Sequence, residues 1–295
     1  MSSYCCSLQK NTNFNPSRIC KNQQRRNRSV SCSTAEESKG TSSTSSPLAQ
    51  LPKSTKEQIQ LASAAIKNAL SCGIKDMEVT FNLDLIGATD LDDWPGGIRQ
   101  QYQSASPMIE ALMKSINDSS AKVEKKVIDD ADAVVKVSCG EDVCTTFPTA
   151  EVLKELKQIA KETKRANIIA NPQWSLGGNI LNDFGFGPWR EKNEQFVKGF
   201  EIAYFLKEQR IQGETFRLQK VYGGPWQVFV LNQQTGSIES LEPFEERPSY
   251  REIEKLLQSR KGSIAAMNWV ERAQSEMTWN AESLQRKPNN TNQEE

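Results

Sequence analysis

The chain has 295 residues, of which 25% are charged and 37% hydrophobic, and its 37 Lys and Arg balance 37 Asp and Glu. That length holds one large domain or two small ones, and no apolar run reaches the roughly 18 residues of a membrane-spanning helix. There is no histidine, which excludes a Ser-His-Asp triad, a Cys-His pair and every histidine-bearing zinc site.

The zero net charge conceals an uneven distribution. Residues 1–35 contain no Asp or Glu but carry Lys10, Arg18, Lys21, Arg25, Arg26 and Arg28 among many Ser and Asn. A basic, hydroxyl-rich amino terminus with no apolar core has the composition of an organellar transit peptide. Its hydroxyl content and poor amphipathicity favour a plastid over a mitochondrion. Val30-Ser31-Cys32 places the expected cleavage near residue 32; a merely disordered basic tail is the plainer alternative. Subtracting those six basic residues from 37 leaves 31 against 37 acidic ones, so the mature chain carries about −6. That sign argues against a nucleic-acid partner, whose phosphates need clustered Lys and Arg. Four of the seven cysteines leave with the segment, and Cys72, Cys139 and Cys144 are too few for a disulfide framework.

Residues 33–52 read as a disordered Ser/Thr-rich linker. The folded domain is expected over residues 53–278, with a loose polar tail over 279–295. Ser54-Thr55-Lys56-Glu57 is a capping-box pattern, after which Ile59, Ala62, Ile66 and Ala69 recur at helical spacing until Gly73 ends the helix. Met77–Leu83 alternates as a first strand and Leu85–Arg99 reads as a long loop. A helix over Pro107–Ile116 presents Met108, Leu112 and Met113 to a core. Val123–Ile128 and Ala133–Val137 are candidate strands. Thr149 is the expected N-cap of a helix to about Thr163, striped by Val152, Leu153, Leu156, Ile159 and Ala160.

Ala166–Ala170 follows as a short apolar strand, giving the helix-to-strand rhythm of a parallel sheet. After the glycine-rich stretch to Arg190 the pattern changes. Phe200–Leu206, Phe216–Tyr222 and Gln227–Leu231 are nearly consecutive strands, the last two joined at Gly223-Gly224-Pro225 as a hairpin. Ser249-Tyr250-Arg251-Glu252 is a second capping box. Gly262 breaks that helix, and Ser263 opens a last one carrying Ile264, Met267, Val270 and Ala273. The expected fold is therefore α/β: a single mixed-sheet, three-layer domain, parallel in its N-terminal half, then antiparallel strands and two C-terminal helices.

The chemistry-bearing signals are sparse. Cys139 and Cys144 have C-x₄-C spacing, compatible with a redox-switchable pair or with two unpaired thiols; a four-ligand zinc site lacks ligands. Asp90, Asp92 and Asp93 suit a hard cation or simply a solvated loop. Neither nucleotide-binding glycine pattern occurs, and Gly177-Gly178 is a chain reversal before it is an anion site. No cofactor or metal is expected. The most site-like residues are Asn171, Gln173, Trp174, Gly177, Gly178, Trp189 and Trp226. Asn171-Pro172 stops a strand where α/β sheets open onto a crevice, and amides and indoles there suit recognition more than catalysis. The plainer reading has the amides satisfying loop backbone and the indoles packed in a core.

At these residues the chain resembles a known family. The block from Asn167 to Leu257, with IIANPQW, FEIAYFLK and RLQKVYGGPWQVFV, is similar to a plant and cyanobacterial domain family of unknown function. That family includes the chloroplast "low photosystem II accumulation" assembly factor and the C-terminal domain of a chloroplast adenylate kinase. The resemblance spans about Leu51–Met277, and NPQW after a strand is its most specific element. It implies a plastid location and an α/β domain and carries no catalytic residues. The expected function is a non-enzymatic stromal factor binding a protein partner, in biogenesis of thylakoid complexes, with at most peripheral thylakoid contact. A small-molecule or nucleotide-binding domain with a regulatory or weak enzymatic role is the alternative.

Overall fold

The structure, a computed structural model, describes residues 48–83, 97–117, 121–176, 179–180, 184, 187–232, 236–271, 273–274 and 277. The transit-peptide segment, residues 33–47 of the linker, Asp90–Asp93, Gly177-Gly178 and the polar tail lie outside the described residues. Ser54 caps α1 (Thr55–Ser71) by accepting the Glu57 N–H at 3.2 Å, while the Glu57 carboxylate reaches back to the Lys53 N–H at 2.7 Å. The predicted stripe is the buried face: Ala62, Ile66 and Ala69 are fully enclosed. Ile66 alone is worth about 1.5–3 kcal/mol of transfer free energy.

The chain continues through β1 (Asp76–Thr80), α2 (Gly97–Ile116), β2 (Val123–Asp129), β3 (Val134–Cys139), β4 (Asp142–Thr146), α3 (Leu153–Glu162) and β5 (Asn167–Ala170). A two-rung hairpin, β6 (Ser175–Leu176) with β7 (Asn179–Ile180), precedes α4 (Gly187–Val197). Then come β8 (Glu201–Ile211), β9 (Glu214–Val221), β10 (Trp226–Leu231), β11 (Ile238–Ser240) and α5 (Tyr250–Gln258). Nine strands make one sheet in the order β11-β10-β9-β8-β1-β5-β4-β3-β2. The four central strands β8, β1, β5 and β4 are parallel, and both flanks are antiparallel. The fold is the expected mixed-sheet α/β class, but parallel pairing occupies the centre rather than the N-terminal half.

Strand alternation splits the core. Met77 and Val79 of β1, Ile168 and Ala170 of β5, and Tyr204 and Leu206 of β8 pack on one face beneath α1 and α2. On the second face Ile169 joins Leu153 and Leu156 of α3, while Phe205, Phe216, Leu218 and Trp226 join Ile253 and Leu257 of α5. Those are the three layers.

Several boundaries differ from expectation for physical reasons. α2 begins at Gly97 and runs through Pro107, which forfeits one helical hydrogen bond while Ala105, Met108 and Ile109 are buried. Thr149 does not cap α3: the cap is Val152, with no side-chain bond, and the Thr149 hydroxyl is buried without a partner among the described residues. The glycine-rich stretch leads into α4, whose sole buried residue is Val197. The β8–β9 hairpin turns at Gln212-Gly213, both at positive φ (48° and 86°), the geometry that matches strand twist. Ser249 and Glu252 form the full reciprocal capping box of α5.

Candidate functional site

α2, which follows β1 in the chain, packs on the first face and α4, which follows β5, packs on the second, so the adjacent carboxyl ends of β1 and β5 mark a switch point of the kind that lines ligand crevices in open α/β sheets. Asn171 stands at that point with φ 49°, a left-handed conformation that Asn tolerates well. Its backbone N–H donates to the Val79 carbonyl at 2.9 Å. Its side-chain Oδ1 accepts the Phe81 N–H at 3.0 Å, and Nδ2 donates to the Phe81 carbonyl at 2.9 Å. The amide thus continues the β1–β5 ladder past Pro172, which could not.

Gln173 works in the same way. Nε2 donates to the carbonyls of Asp132 (3.2 Å) and Phe147 (2.9 Å), and its backbone N–H donates to the Pro148 carbonyl at 3.1 Å. Two turns at the carboxyl edge are thereby tied to β5. Trp174 is buried against Phe184 in a T-shaped contact, centroids 6.2 Å apart, under α3. The structure brings Asn171, Gln173 and Trp174 together as a fold-locking cluster and places the other two indoles elsewhere. Trp226 is buried in β10 against Phe205, with Lys220 Nζ 6.0 Å and the Arg247 guanidinium 5.2 Å from its ring centre. Trp189 is 73% exposed on α4, with Lys192 Nζ 5.5 Å over its ring.

Cys139 and Cys144 lie on adjacent strands, in a register that pairs Val137 with Cys144 and Cys139 with Asp142. Both are unpaired and buried on the first face. Burial pushes both thiols up, and at Cys139 the neighbouring Asp142 adds to the effect while Lys114 opposes it. Neither environment favours a thiolate.

A further buried site lies in β1. Glu78 sits in the middle of β1, opposite Ile169 on one neighbour and Ile202 on the other, and is only 9% exposed. Burial raises its carboxyl; the Arg247 charge and a hydrogen bond with Thr80 oppose that. Arg247 lies over the rings of Phe205 (4.7 Å) and Trp226 (5.2 Å), and burial lowers its own value against the pull of Glu78. Glu78 and Arg247 lie on the second face, where Glu78 is flanked by Ile169 of the cluster under α3 and Arg247 covers Phe205 and Trp226 of the cluster under α5. The sequence signal was a lone acid inside the strand run Met77-Glu78-Val79-Thr80-Phe81.

Asp129, Asp132 and Glu151 bring carboxylate oxygens within 4.8 Å of one another, but surface acids gather in this way without any ion, and one Asp129 oxygen is already taken by the Ala131 N–H. No helix among the described residues is long and apolar enough to cross a membrane.

These features define a mixed α/β domain whose edge amides secure its own loops and whose buried acids Glu78, Asp142 and Glu214 are each faced by an arginine, Arg247, Arg165 and Arg260. The chain belongs to the family described as "Domain of unknown function (DUF1995)", whose model matches residues 52–255. No curated protein and no solved structure matches the chain.

Proposed function

We propose that the protein is a non-catalytic accessory factor of the plastid stroma that acts by binding a protein partner, in the biogenesis of thylakoid complexes. The observation that carries this reading is the exposure of two tryptophans, Trp189 at 73% and Trp269 at 76%. Tryptophan is the residue most enriched at interface hot spots, and a solvent-facing indole forgoes burial that a partner supplies. The catalytic alternatives lose their candidates: Asn171 and Gln173 are engaged by backbone, and the two C-x₄-C thiols are buried. The acid-free, basic amino terminus supports the compartment, and the resemblance to a domain family that includes an assembly factor supports the process. Affinity isolation of the native protein from stroma tests the reading. A stable complex sensitive to Trp189→Ala or Trp269→Ala is the expected result, and recovery solely as a monomer contradicts it.

The buried Glu78 carboxyl with the half-buried Arg247 charge acting on it, beside a sheet switch point, supports a second reading, a small-molecule or nucleotide-binding domain. A thermal-shift screen with nucleotides and plastid metabolites separates the two, because a ligand at about 100 times its Kd stabilises by about 2.7 kcal/mol.

A further inference from the structure

Arg165, Arg217 and Arg260 each close on a carboxylate: Asp142 at 3.1 Å, Glu208 at 2.9 Å and Glu214 at 2.9 Å. Arg247 does not. Its half-buried guanidinium lies 4.7 Å from the ring centre of Phe205 and 5.2 Å from that of Trp226, two rings that meet edge to face with centroids 5.3 Å apart. Among the described residues it makes no ion pair and no hydrogen bond. Phe205, Lys220 and Trp226 stand in one cross-strand row, paired in register from β8 through β9 to β10, so Lys220 rises from the second face between the two rings. Its ammonium donates to the Gly224 carbonyl and sits 6.0 Å from the centre of the Trp226 ring. Two cations thus share one indole. The nearby acids leave both open: Glu78 acts on Arg247 through its charge, and the exposed Glu201 and Glu245 act on Lys220. None of the three forms an ion pair with either cation among the described residues.

We propose that Arg247 and Lys220 form an oxyanion site, which takes the carboxylate or phosphoryl group of a small metabolite beside the Phe205 and Trp226 rings. The inference rests on the ligand-binding reading above and names the chemical class of its ligand. A guanidinium carries five N–H donors in a planar fork that matches the oxygens of a carboxylate or phosphate. Contact with two π-faces supplies no hydrogen-bond acceptor, so those donors remain for a ligand. The rings also fix the side chain before a ligand arrives, which removes part of the ordering cost of binding. Pro248 adds to this by holding the Arg247 backbone extended. Burial weakens the hold of both side chains on their charge, and an incoming anion opposes that effect. Glu78 is the buried acid that would repel such an anion, but burial raises its carboxyl toward the neutral form. Glu201 and Glu245 are exposed, where water and salt screen them.

Thermal unfolding of the full chain in sodium phosphate, sodium acetate and sodium chloride at equal ionic strength tests this. The expected result is a saturable rise of the wild-type midpoint in phosphate or acetate, relative to chloride, that Arg247→Gln abolishes and Lys220→Gln reduces. Arg247→Lys keeps the charge and loses the fork, so it should need about tenfold more anion for the same rise. A rise in phosphate alone assigns a phosphoryl ligand, and a rise in acetate assigns a carboxylate. No rise overturns the proposal, as does an equal rise in wild type and Arg247→Gln, which is the general effect of an excluded salt. Should Arg247→Gln fail to fold, phenylglyoxal modification of the wild-type chain decides. The anion should protect Arg247 and leave the exposed Arg251 reactive; an Arg247 that reacts at the same rate with and without anion overturns the proposal. A nucleotide or metabolite that raises the midpoints of wild type and Arg247→Gln alike removes this site and leaves the ligand-binding reading standing. A screen in which no compound moves the wild-type midpoint removes both.

Discussion

Asn171 holds Phe81 by both edges of its side-chain amide, accepting its N–H at 3.0 Å and donating to its carbonyl at 2.9 Å. The parallel strands β1 and β5 are thereby kept paired beyond Val79 and Ala170. Replacing Asn171 with Ala removes both bonds and leaves a Cβ in the left-handed region without a local hydrogen bond. The expected loss is about 2–3 kcal/mol, read as a lower urea midpoint at unchanged slope. Asn171→Asp keeps the acceptor and loses the donor, so it should fall between. A ligand-binding asparagine would show the opposite behaviour, with stability intact.

Glu78 has a carboxyl raised above its ordinary 4.5, with burial as the largest cause. The folded state therefore holds this proton more tightly than the unfolded one. Its contribution to stability is fully present below about pH 4.5 and is lost as pH rises through the higher folded value. Glu78→Gln removes that dependence, so the variant should gain relative to wild type as pH increases from 4.5. Arg247→Met isolates the pair, and a double-mutant cycle should give a coupling of about 1–3 kcal/mol. Denaturant titrations at several pH values check both statements.

Arg260 joins the end of α5 to the hairpin turn and the sheet edge. It pairs with Glu214 at 2.9 Å and Glu239 at 2.6 Å, and Glu214 also accepts the Ile264 N–H. The Glu214 side chain is 8% exposed, so Arg260→Ala strands a buried carboxylate at a cost of about 3 kcal/mol. Limited proteolysis should then cut beyond residue 260 sooner than in wild type. Arg260→Lys recovers only part of the loss, because an ammonium lacks the planar fork that reaches both acids.

The thiols should differ in reactivity. Cys139 and Cys144 are buried and Cys72 is half-buried at the end of α1. In a chain lacking residues 1–32, a disulfide reagent at pH 8 should modify Cys72 first, and the other two only as the protein unfolds. Fast modification of Cys139 or Cys144 in the folded state would restore the redox-pair reading.

Where the residues themselves fixed the local geometry, the fold was legible. The Ser54 and Ser249 caps follow from side chains that bond their own backbone, the β9–β10 turn from the positive φ that Gly223 adopts freely, and β5 from a short apolar run stopped by proline. α2 was cut short because Pro107 reads as a first helical residue, whereas burial of its flanking apolar residues outweighs the lost bond. β4 went unseen because Asp142–Thr146 has no alternation: every residue is buried, as in strands covered on both faces. The site was harder. Asn171 and Gln173 look alike in sequence whether they hold a ligand or a loop, and only the partners at Phe81, Asp132 and Phe147 decide. Glu78 was hidden because its counter-charge, Arg247, comes from the far end of the chain.

The most direct measurement is the mass of the complex that the native protein forms, by light scattering after gentle isolation. The account predicts an assembly well above the 33.1 kDa of the full chain, reduced to monomer by Trp189→Ala with Trp269→Ala. A monomer in the native extract would contradict it, as would turnover of a substrate that one Asp, Glu, Lys or Cys replacement abolishes.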